Sequence, residues 1–289
     1  GDLRNEGLEI TLNATAVKTT NFTWDLNLNF NKTRSELLNL PAAVSEYYLS
    51  DTWLFGNVRG GVKVGNPLTT LTATTYLKNN AGQILIDPST GYPLENPNFE
   101  ISGDRNPDFV LGFQNTFRYK NFTLSMLLDM RKGGDIYNAT EAWMYQNGIS
   151  TRTLDREKPR VVQGVLRDGL ENTATPTQNN IAVTPYLQNE YYRSGSIDAD
   201  FIEKDVNWLR MRDITLSYRM LSESLKKTFI KSMSFNVTMT DAFMITNYTG
   251  ADPAVNGLNA SAGGAGGVGF DFGTVSNPRG VNLGIKLGF

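Results

Sequence analysis

Residues 22–33 read FTWDLNLNFNKT. Phe22, Trp24, Leu26, Leu28 and Phe30 take one parity, and Thr23, Asp25, Asn27, Asn29 and Asn31 take the other. Successive side chains of a strand point to opposite faces, so this stretch builds a strand with one wholly apolar and one wholly polar face. The pattern returns in Phe122, Leu124, Met126, Leu128 and Met130, opposite Thr123, Ser125, Asp129 and Arg131. It returns again in Met233, Phe235, Val237 and Met239, opposite Ser234, Asn236, Thr238 and Thr240. The closing GVNLGIKLGF puts Val281, Leu283, Ile285, Leu287 and Phe289 on one face, with Asn282, Gly284, Lys286 and Gly288 on the other. At about 3.3 Å per residue and a tilt near 45°, ten residues span roughly 23 Å, close to the apolar band of an outer-membrane barrel. A soluble sandwich strand also alternates, but unbroken apolar faces of this length favour lipid.

Composition narrows the field. A chain of 289 residues accommodates one large soluble domain or a membrane barrel, so length does not choose. No apolar run approaches the roughly 20 residues of a membrane-spanning helix. A hydrophobic content of 40% and a mean hydropathy of -0.32 look soluble, yet alternating barrel strands average to the same values. The chain has no Cys and no His, which removes thiolate nucleophiles, Cys/His zinc sites, Ser-His-Asp triads and imidazole acid–base chemistry together. A net charge of -2 argues against a nucleic-acid surface. The pair Asp198 and Asp200 invites a glycosidase reading, but the expectation is solvated loop acids or a calcium contact. No catalytic, cofactor or metal site is therefore assigned.

Further strands are expected at Gly7–Val17, Trp53–Val64, Leu68–Lys78, Phe109–Tyr119 and Val206–Met220, which brings the total to about nine. Single-chain bacterial barrels have even strand numbers, and the chain opens at Gly1 with no initiator Met or signal segment, so it reads as a truncated piece. Expressed alone, it is expected not to close, because two open sheet edges would expose unpaired N–H and C=O groups to lipid. Short turns after Val17 and around Lys120 alternate with long connections, the pattern of periplasmic turns and extracellular loops. With Phe289 on the periplasmic side, residues 79–108, 132–205 and 241–277 fall outside the cell.

Strand charges test the assignment, since Arg or Lys facing lipid at mid-bilayer costs about 2–4 kcal/mol. Asp25, Arg118, Asp129, Arg131, Arg219 and Lys286 have polar-face parity. Arg210 and Arg212 share parity with Ile214, Leu216 and Tyr218, which requires either a position above the apolar band or a β-bulge that resets the face. Asn-x-Ser/Thr triplets at Asn21, Asn121 and Asn236 arise from alternation in polar walls and are not read as glycosylation sites. Glycine-rich Gly263–Gly269 lacks the Lys-Ser/Thr of a phosphate loop and reads as a mobile loop.

The residues also resemble a family. NPDFVLGFQNTFRYKNFTLSMLLDMRKGGDIYN from Asn106 to Asn138 is similar to the strand pair and glycine turn of SusC-like TonB-dependent transporters. WLRMRDITLSYRM from Trp208 resembles the family's Arg-Leu-Arg strand, ITNYTGADPAVNG its tyrosine-glycine-Asp-Pro loop, and FGTVSNPRGVNLGIKLGF its terminal strand. RNEGLEITLN and GQILIDPSTGYPLENP match in order as well, so the resemblance covers essentially the whole chain. Asp241-Ala242-Phe243 replaces the family's Asn-Leu-Phe, and Ala254 replaces an acidic residue after Asp252-Pro253.

The resemblance implies an all-β, antiparallel transmembrane barrel. The chain would supply about the last nine strands of a plugged 22-stranded barrel, with residues 1–289 as its C-terminal part and the plug and N-terminal strands elsewhere. It implies location in the outer membrane of a Gram-negative, Bacteroidota-like cell, embedded in outer-membrane lipid, and no enzymatic activity. It further implies TonB-driven import of glycans or peptides with a SusD-like surface lipoprotein, the TonB complex being contacted through a segment outside this sequence. Loop aromatics Trp143, Tyr145, Tyr191 and Tyr192 are candidates for stacking on ligand or lid, against the plainer reading of loop packing. Ile285, Leu287 and Phe289 are the expected signal for the barrel-assembly machinery, against simple interfacial anchoring. The alternatives are a SusC-like barrel acting as a structural subunit of a larger outer-membrane assembly, and a secreted carbohydrate-binding β-sandwich.

Overall fold

A computed structural model of the protein describes residues 1–50, 57–188, 190–220, 222–225, 229–254 and 267–289. Seven strands form one antiparallel sheet: β1 (Asp2–Lys18), β2 (Phe22–Asn39), β3 (Phe109–Tyr119), β4 (Phe122–Lys132), β5 (Trp208–Arg219), β6 (Ser232–Thr246) and β7 (Gly280–Gly288). Each strand pairs with its neighbour in sequence, leaving β1 and β7 as the two edges of an open sheet.

The registers carry the apolar parity of each strand straight across the sheet. Trp24, Phe117, Leu124, Leu216, Val237 and Leu283 form one continuous rung. One rung nearer the short turns, Phe22, Tyr119, Phe122, Tyr218 and Phe235 form an aromatic row. Aromatic rows of this kind edge the apolar band of membrane barrels, where amphipathic rings sit at the water interface. Within the row Phe122 and Tyr218 touch at 4.8 Å, and Trp24 stacks on Phe117 at 5.6 Å one rung away. In β1 a register shift between Thr15 and Val17 makes room for Ala16 and returns Val17 to the apolar face opposite Trp24.

Seven of the nine expected strands therefore lie in this sheet. The other two do not. Val58–Val62 and Thr70–Tyr76 belong to a separate four-stranded sheet with Tyr47–Ser50 and Glu95–Asp104. Val58–Val62 is buried at every position, and so are the first five residues of Thr70–Tyr76. A strand covered on both faces belongs to a protein core, not to a wall with one lipid face. Residues 53–56 of the expected strand at Trp53–Val64 lie outside the described residues.

Long connections leave the sheet at one end only, at residues 40–108, 133–207 and 247–279. Their described residues fold together into a cap. Its core takes Val58, Leu71 and Ala73 from the first connection, Tyr137, Ala139, Ala142, Phe201 and Ile202 from the second, and Phe270 from the third. A three-stranded sheet of Ile136–Asn138, Ile202–Glu203 and Phe270–Asp271 joins the second and third. Helix α1 (Ala139–Gln146) starts where the Asn138 side chain accepts from the Glu141 amide at 2.9 Å, satisfying a free N–H of its first turn. The connection expected to begin at residue 79 thus begins at 40, and the ordered cap replaces the looser loops that spacing suggests.

Buried arginines fasten the cap's connections to one another and to the sheet. Arg105 donates to the Thr69 and Val268 carbonyls at 3.1 and 2.9 Å, and burial lowers its guanidinium to about 10 despite the nearby Asp104. Arg131 donates to the Gly133 and Arg105 carbonyls and lies over the Trp208 ring at 5.0 Å. Each joins residues from different segments, so the cap is positioned by charge-assisted bonds to backbone that only the folded connections supply.

Candidate functional site: a two-faced wall and its cap

The two faces of the sheet differ in chemistry. On the apolar face Leu8, Ile10, Leu12, Leu216, Val237, Val281, Leu283 and Ile285 are exposed, Leu283 by 79%. A contiguous exposed apolar face of this size is not a soluble surface. At mid-strand on this face Asn115 lies opposite Leu26 and Met126, where it is buried and accepts from the Trp24 indole N–H at 3.0 Å.

On the polar face the side chains bond from strand to strand. Asn31 donates to Glu9 at 2.9 Å, Thr11 to Asn29 at 3.0 Å, and Thr15 to Asp25 at 2.6 Å. Asn27 donates to Asn13, Asn29 to Asn27, and Arg118 pairs with Asp25. Thr215 and Thr238 meet at 2.9 Å farther along the sheet. A hollow of about 330 Å³ is lined by Asn13, Thr15, Asp25, Asn27, Gln114 and Thr116, among others. Amide, hydroxyl and carboxylate groups at strand spacing make a wettable wall able to exchange hydrogen bonds with a polar solute.

The two arginines of conflicting parity are resolved by a bulge. Both neighbours of β5 shift register between Met211 and Asp213, so Arg212 is an extra residue relative to β4. Arg210 opposes Asp129 on the polar face, while Ile214 and Met211 both fall on the apolar face, opposite Met126 and Leu128. Arg212 turns its guanidinium to Asp129 at 2.6 Å. In β6 two residues, Asp241 and Ala242, lie between the partners of Met211 and Asp213. Two extra residues restore parity, so Phe243 and Ile245 stay on the apolar face with Met239. Asp241 has φ of +47°, a left-handed conformation that Asn and Asp tolerate better than other side chains, so Asp can stand where the family carries Asn.

Arg210 is 2% exposed and pairs with Asp252, with Asp241 at 3.7 Å. Burial would raise the Asp252 carboxyl, but the Arg210 bond and charge outweigh it and hold the group below the usual range. Asp252 also accepts from the Ala254 amide at 2.9 Å, a contact that asks nothing of the side chain at 254.

The aromatic candidates separate into a cluster and an outlier. Tyr145 on α1 meets Tyr192 at 5.0 Å and Phe201 at 5.5 Å, and Tyr192 meets Tyr191 at 5.3 Å. Tyr191 is buried and Tyr192 half-buried, so both serve largely as packing within the short helix α2 (Tyr191–Ser194). Trp143 stands apart, 61% exposed on α1. Tyr92 and Arg152 complete the cluster: Tyr92 meets Tyr191 at 5.7 Å, and Arg152 lies 5.0 Å from the rings of both Tyr145 and Phe201. Sequence reading missed Tyr92 because it arrives from the first connection, and its Gly91-Tyr92-Pro93 setting announces only a turn.

Asp198, expected to be a solvated loop acid, is 7% exposed and accepts from the Tyr137 hydroxyl and the Asn57 amide, each at 2.9 Å. Burial, then the Asp198 charge, pushes the Tyr137 phenol well above its ordinary value. Asp200 accepts from Tyr76. Both acids fasten cap segments together, and no group of three or more acidic, His or Cys residues able to hold a metal occurs among the described residues. Gly263–Gly266 of the expected mobile loop lie outside the described residues, while Gly269 at its end accepts from the Tyr137 amide at 2.9 Å. Ile285 and Leu287 lie exposed on edge strand β7, and Phe289 stacks on Phe229 at 5.6 Å.

An open antiparallel sheet with one lipid-compatible face, one hydrogen-bonded polar face and a cap at one end is wall from an outer-membrane β-barrel. No protein-family model matches the chain. TonB-dependent receptor P3 of Formosa agariphila is 24% identical over 309 residues, covering 100% of this chain and 29% of that receptor. TonB-dependent receptor SusC of Bacteroides thetaiotaomicron is 24% identical over 283 residues, covering 90% of this chain and 25% of SusC. The solved structure of the RagAB peptide transporter has the same fold, with a TM-score of 0.64 over 99% of this chain and 29% of that one, at 16% identity. The chain is similar over its whole length to TonB-dependent receptors and over 90% of it to SusC, and it is a protein of the outer membrane. It spans about 29% of the length of the curated relatives it matches first.

Proposed function

We propose that the chain forms wall and outer cap of a TonB-dependent importer of glycans or peptides that works with a SusD-like surface lipoprotein. The observation that carries this reading is the pairing of an exposed apolar face with a polar face bonded from strand to strand. That combination suits a wall between lipid and a wet passage, and needs no bond chemistry. The relatives are named receptors and transporters, not enzymes. TonB would act through a segment outside this sequence, and the connections at 40–108, 133–207 and 247–279 would face the cell exterior.

Uptake of labelled oligosaccharide and oligopeptide pools by cells carrying or lacking the full-length protein tests the reading. Loss of uptake of at least one pool, restored by the gene and abolished by a protonophore, is expected. Equal uptake of every pool with and without the protein would favour a structural subunit instead.

Trp143 is the candidate best placed for lid or ligand, since its ring is free while Tyr145, Tyr191 and Tyr192 are engaged with one another. Trp143→Ala should weaken retention of the co-purifying lipoprotein about tenfold or more if the ring is a central anchor. Undiminished retention by a correctly assembled variant would remove Trp143 from the docking surface. Excising Arg152–Pro185 is a poorer test, because Thr153, Val165 and Val183 in that stretch are buried in the cap.

Ile285, Leu287 and Phe289 are proposed as the strand end read by the barrel-assembly machinery. Deleting Phe289 should remove most heat-modifiable protein from outer membranes. Phe229→Ala, which removes only the stacking partner, should leave assembly near normal if the signal reading is right.

A further inference from the structure

The short-turn end of the wall carries a charge of its own. Residues 15–25, 116–125, 217–234 and 284–289, which surround the short turns and the end of β7, contain eight Lys and Arg against the two acids Asp25 and Glu223. The whole chain has a net charge of -2, so this cationic excess is local. Asp25 is already committed to Arg118. Lys226 and Lys227 lie outside the described residues.

The cations divide between the two faces. Lys18 and Arg118 both oppose Thr23, and Arg219 and Lys286 both oppose Ser234, so these four share the polar face. Lys120 and Lys231 belong to the other side. The Lys120 ammonium lies 5.5 Å from the centre of the Tyr119 ring, and Tyr119 is a member of the aromatic row at the edge of the apolar band and is 52% exposed. Lys231 is exposed, and alternation through Met233 and Phe235 gives it the parity of the apolar face. Its backbone N–H donates to the Gly288 carbonyl at 2.7 Å, one residue before Phe289, whose ring stacks on Phe229. Neither ammonium has an ion pair or a side-chain hydrogen bond among the described residues.

We propose that the lipid-facing rim at the short-turn end is a docking surface for anionic phospholipid, with Lys120 and Lys231 each taking a headgroup phosphate while the acyl chains lie over the aromatic row. Long cationic side chains at such a boundary run along apolar surface and place their charge at headgroup level, where each adds to the attraction of an anionic leaflet. An ammonium has three N–H donors, and a ring face beside it leaves them for an outside acceptor. The four cations of the polar face do not touch lipid, but their potential reaches through a single sheet before salt screens it over about 10 Å. The inference rests on the placement of the sheet in a membrane and is independent of what the protein imports.

The test uses the full-length protein, purified in mild detergent and incubated with equal amounts of phosphatidylglycerol and phosphatidylcholine, and bound lipid is counted by native mass spectrometry. Wild-type protein should retain phosphatidylglycerol over phosphatidylcholine by about fivefold for each of the two sites, the scale of one Lys near an anionic surface. Lys120→Gln and Lys231→Gln should each lower that preference about fivefold and leave phosphatidylcholine unchanged. Lys158→Gln, which removes an exposed cation from the cap, should leave it as in wild type. Equal retention of the two lipids by wild type overturns the proposal, and so does an unaltered preference in the double variant Lys120→Gln, Lys231→Gln. A loss in Lys158→Gln as large as in the rim variants overturns it too, since net charge alone would then be acting.

Discussion

Replacing Leu26 by Arg is expected to abolish assembly of the full-length protein, while Asn27→Arg leaves most of it folded. Leu26 sits at mid-strand on the apolar face, between Ala14 of β1 and Asn115 of β3. A guanidinium there must enter lipid at a cost of about 2–4 kcal/mol, a large part of the stability of an ordinary fold. It would also crowd Asn115, whose oxygen already serves the Trp24 indole. One residue along the chain, Asn27 faces the polar side and bonds to Asn13 and Asn29. Arg in its place loses two exposed hydrogen bonds but keeps its charge in water. Heat-modifiable migration in outer-membrane fractions reads the difference, and equal loss for both variants would overturn the assignment of faces.

The second large effect is expected at Arg210. Arg210→Met strands the carboxylates of Asp252 and Asp241 without their cation, which for a buried pair costs about 3–5 kcal/mol. Residues 247–254, which Asp252 ties to the wall, should lose hydrogen-exchange protection. The pH dependence should reverse as well. In the native protein the Asp252 carboxyl is held low, so its contribution is present above the ordinary Asp value near 4 and fades as pH falls through the lowered one. Without Arg210, burial is opposed only by the Ala254 and Asn277 backbone N–H groups, so the carboxyl rises, and the segment is weakest at neutral pH and recovers partly on acidification. The double variant Arg210→Met, Asp252→Leu should regain much of the loss at neutral pH, since it leaves fewer buried charges. Protection of residues 247–254 that is unchanged in Arg210→Met would show that the cap docks without this pair.

The wall was legible because lipid imposes a rule on every second residue. Wherever that rule held without interruption, as at residues 22–33, 122–130 and 280–289, the strand and its facing could be read from sequence. Arg210 and Arg212 signalled the bulge by breaking parity, although parity alone could not say which residue was inserted. Val58–Val62 and Thr70–Tyr76 were placed in the wrong sheet because local apolar content resembles a wall strand, while burial on both faces depends on partners elsewhere in the chain. The same dependence hid the burial of Asp198, whose donors Tyr137 and Asn57 come from different connections. Of the aromatic candidates, Tyr145, Tyr191 and Tyr192 were brought together, but their neighbours Tyr92 and Phe201 carried no periodic signal.

The shared core of the cap bears on the order of events during biogenesis. Each wall strand can zip onto the one before it, since neighbours in the sheet are neighbours in the chain. The cap cannot form this way: Val58 must wait for Phe270, which lies far along the chain and is delivered only once the strands between them are in place. Contacts between residues so distant in sequence form late, after the connections closer in the chain have paid their entropy of closure. Until then the early connections display their apolar residues to the surroundings. A substitution such as Phe270→Ala would therefore be felt first as vulnerability of the immature protein to proteases, before any defect appeared in the finished wall.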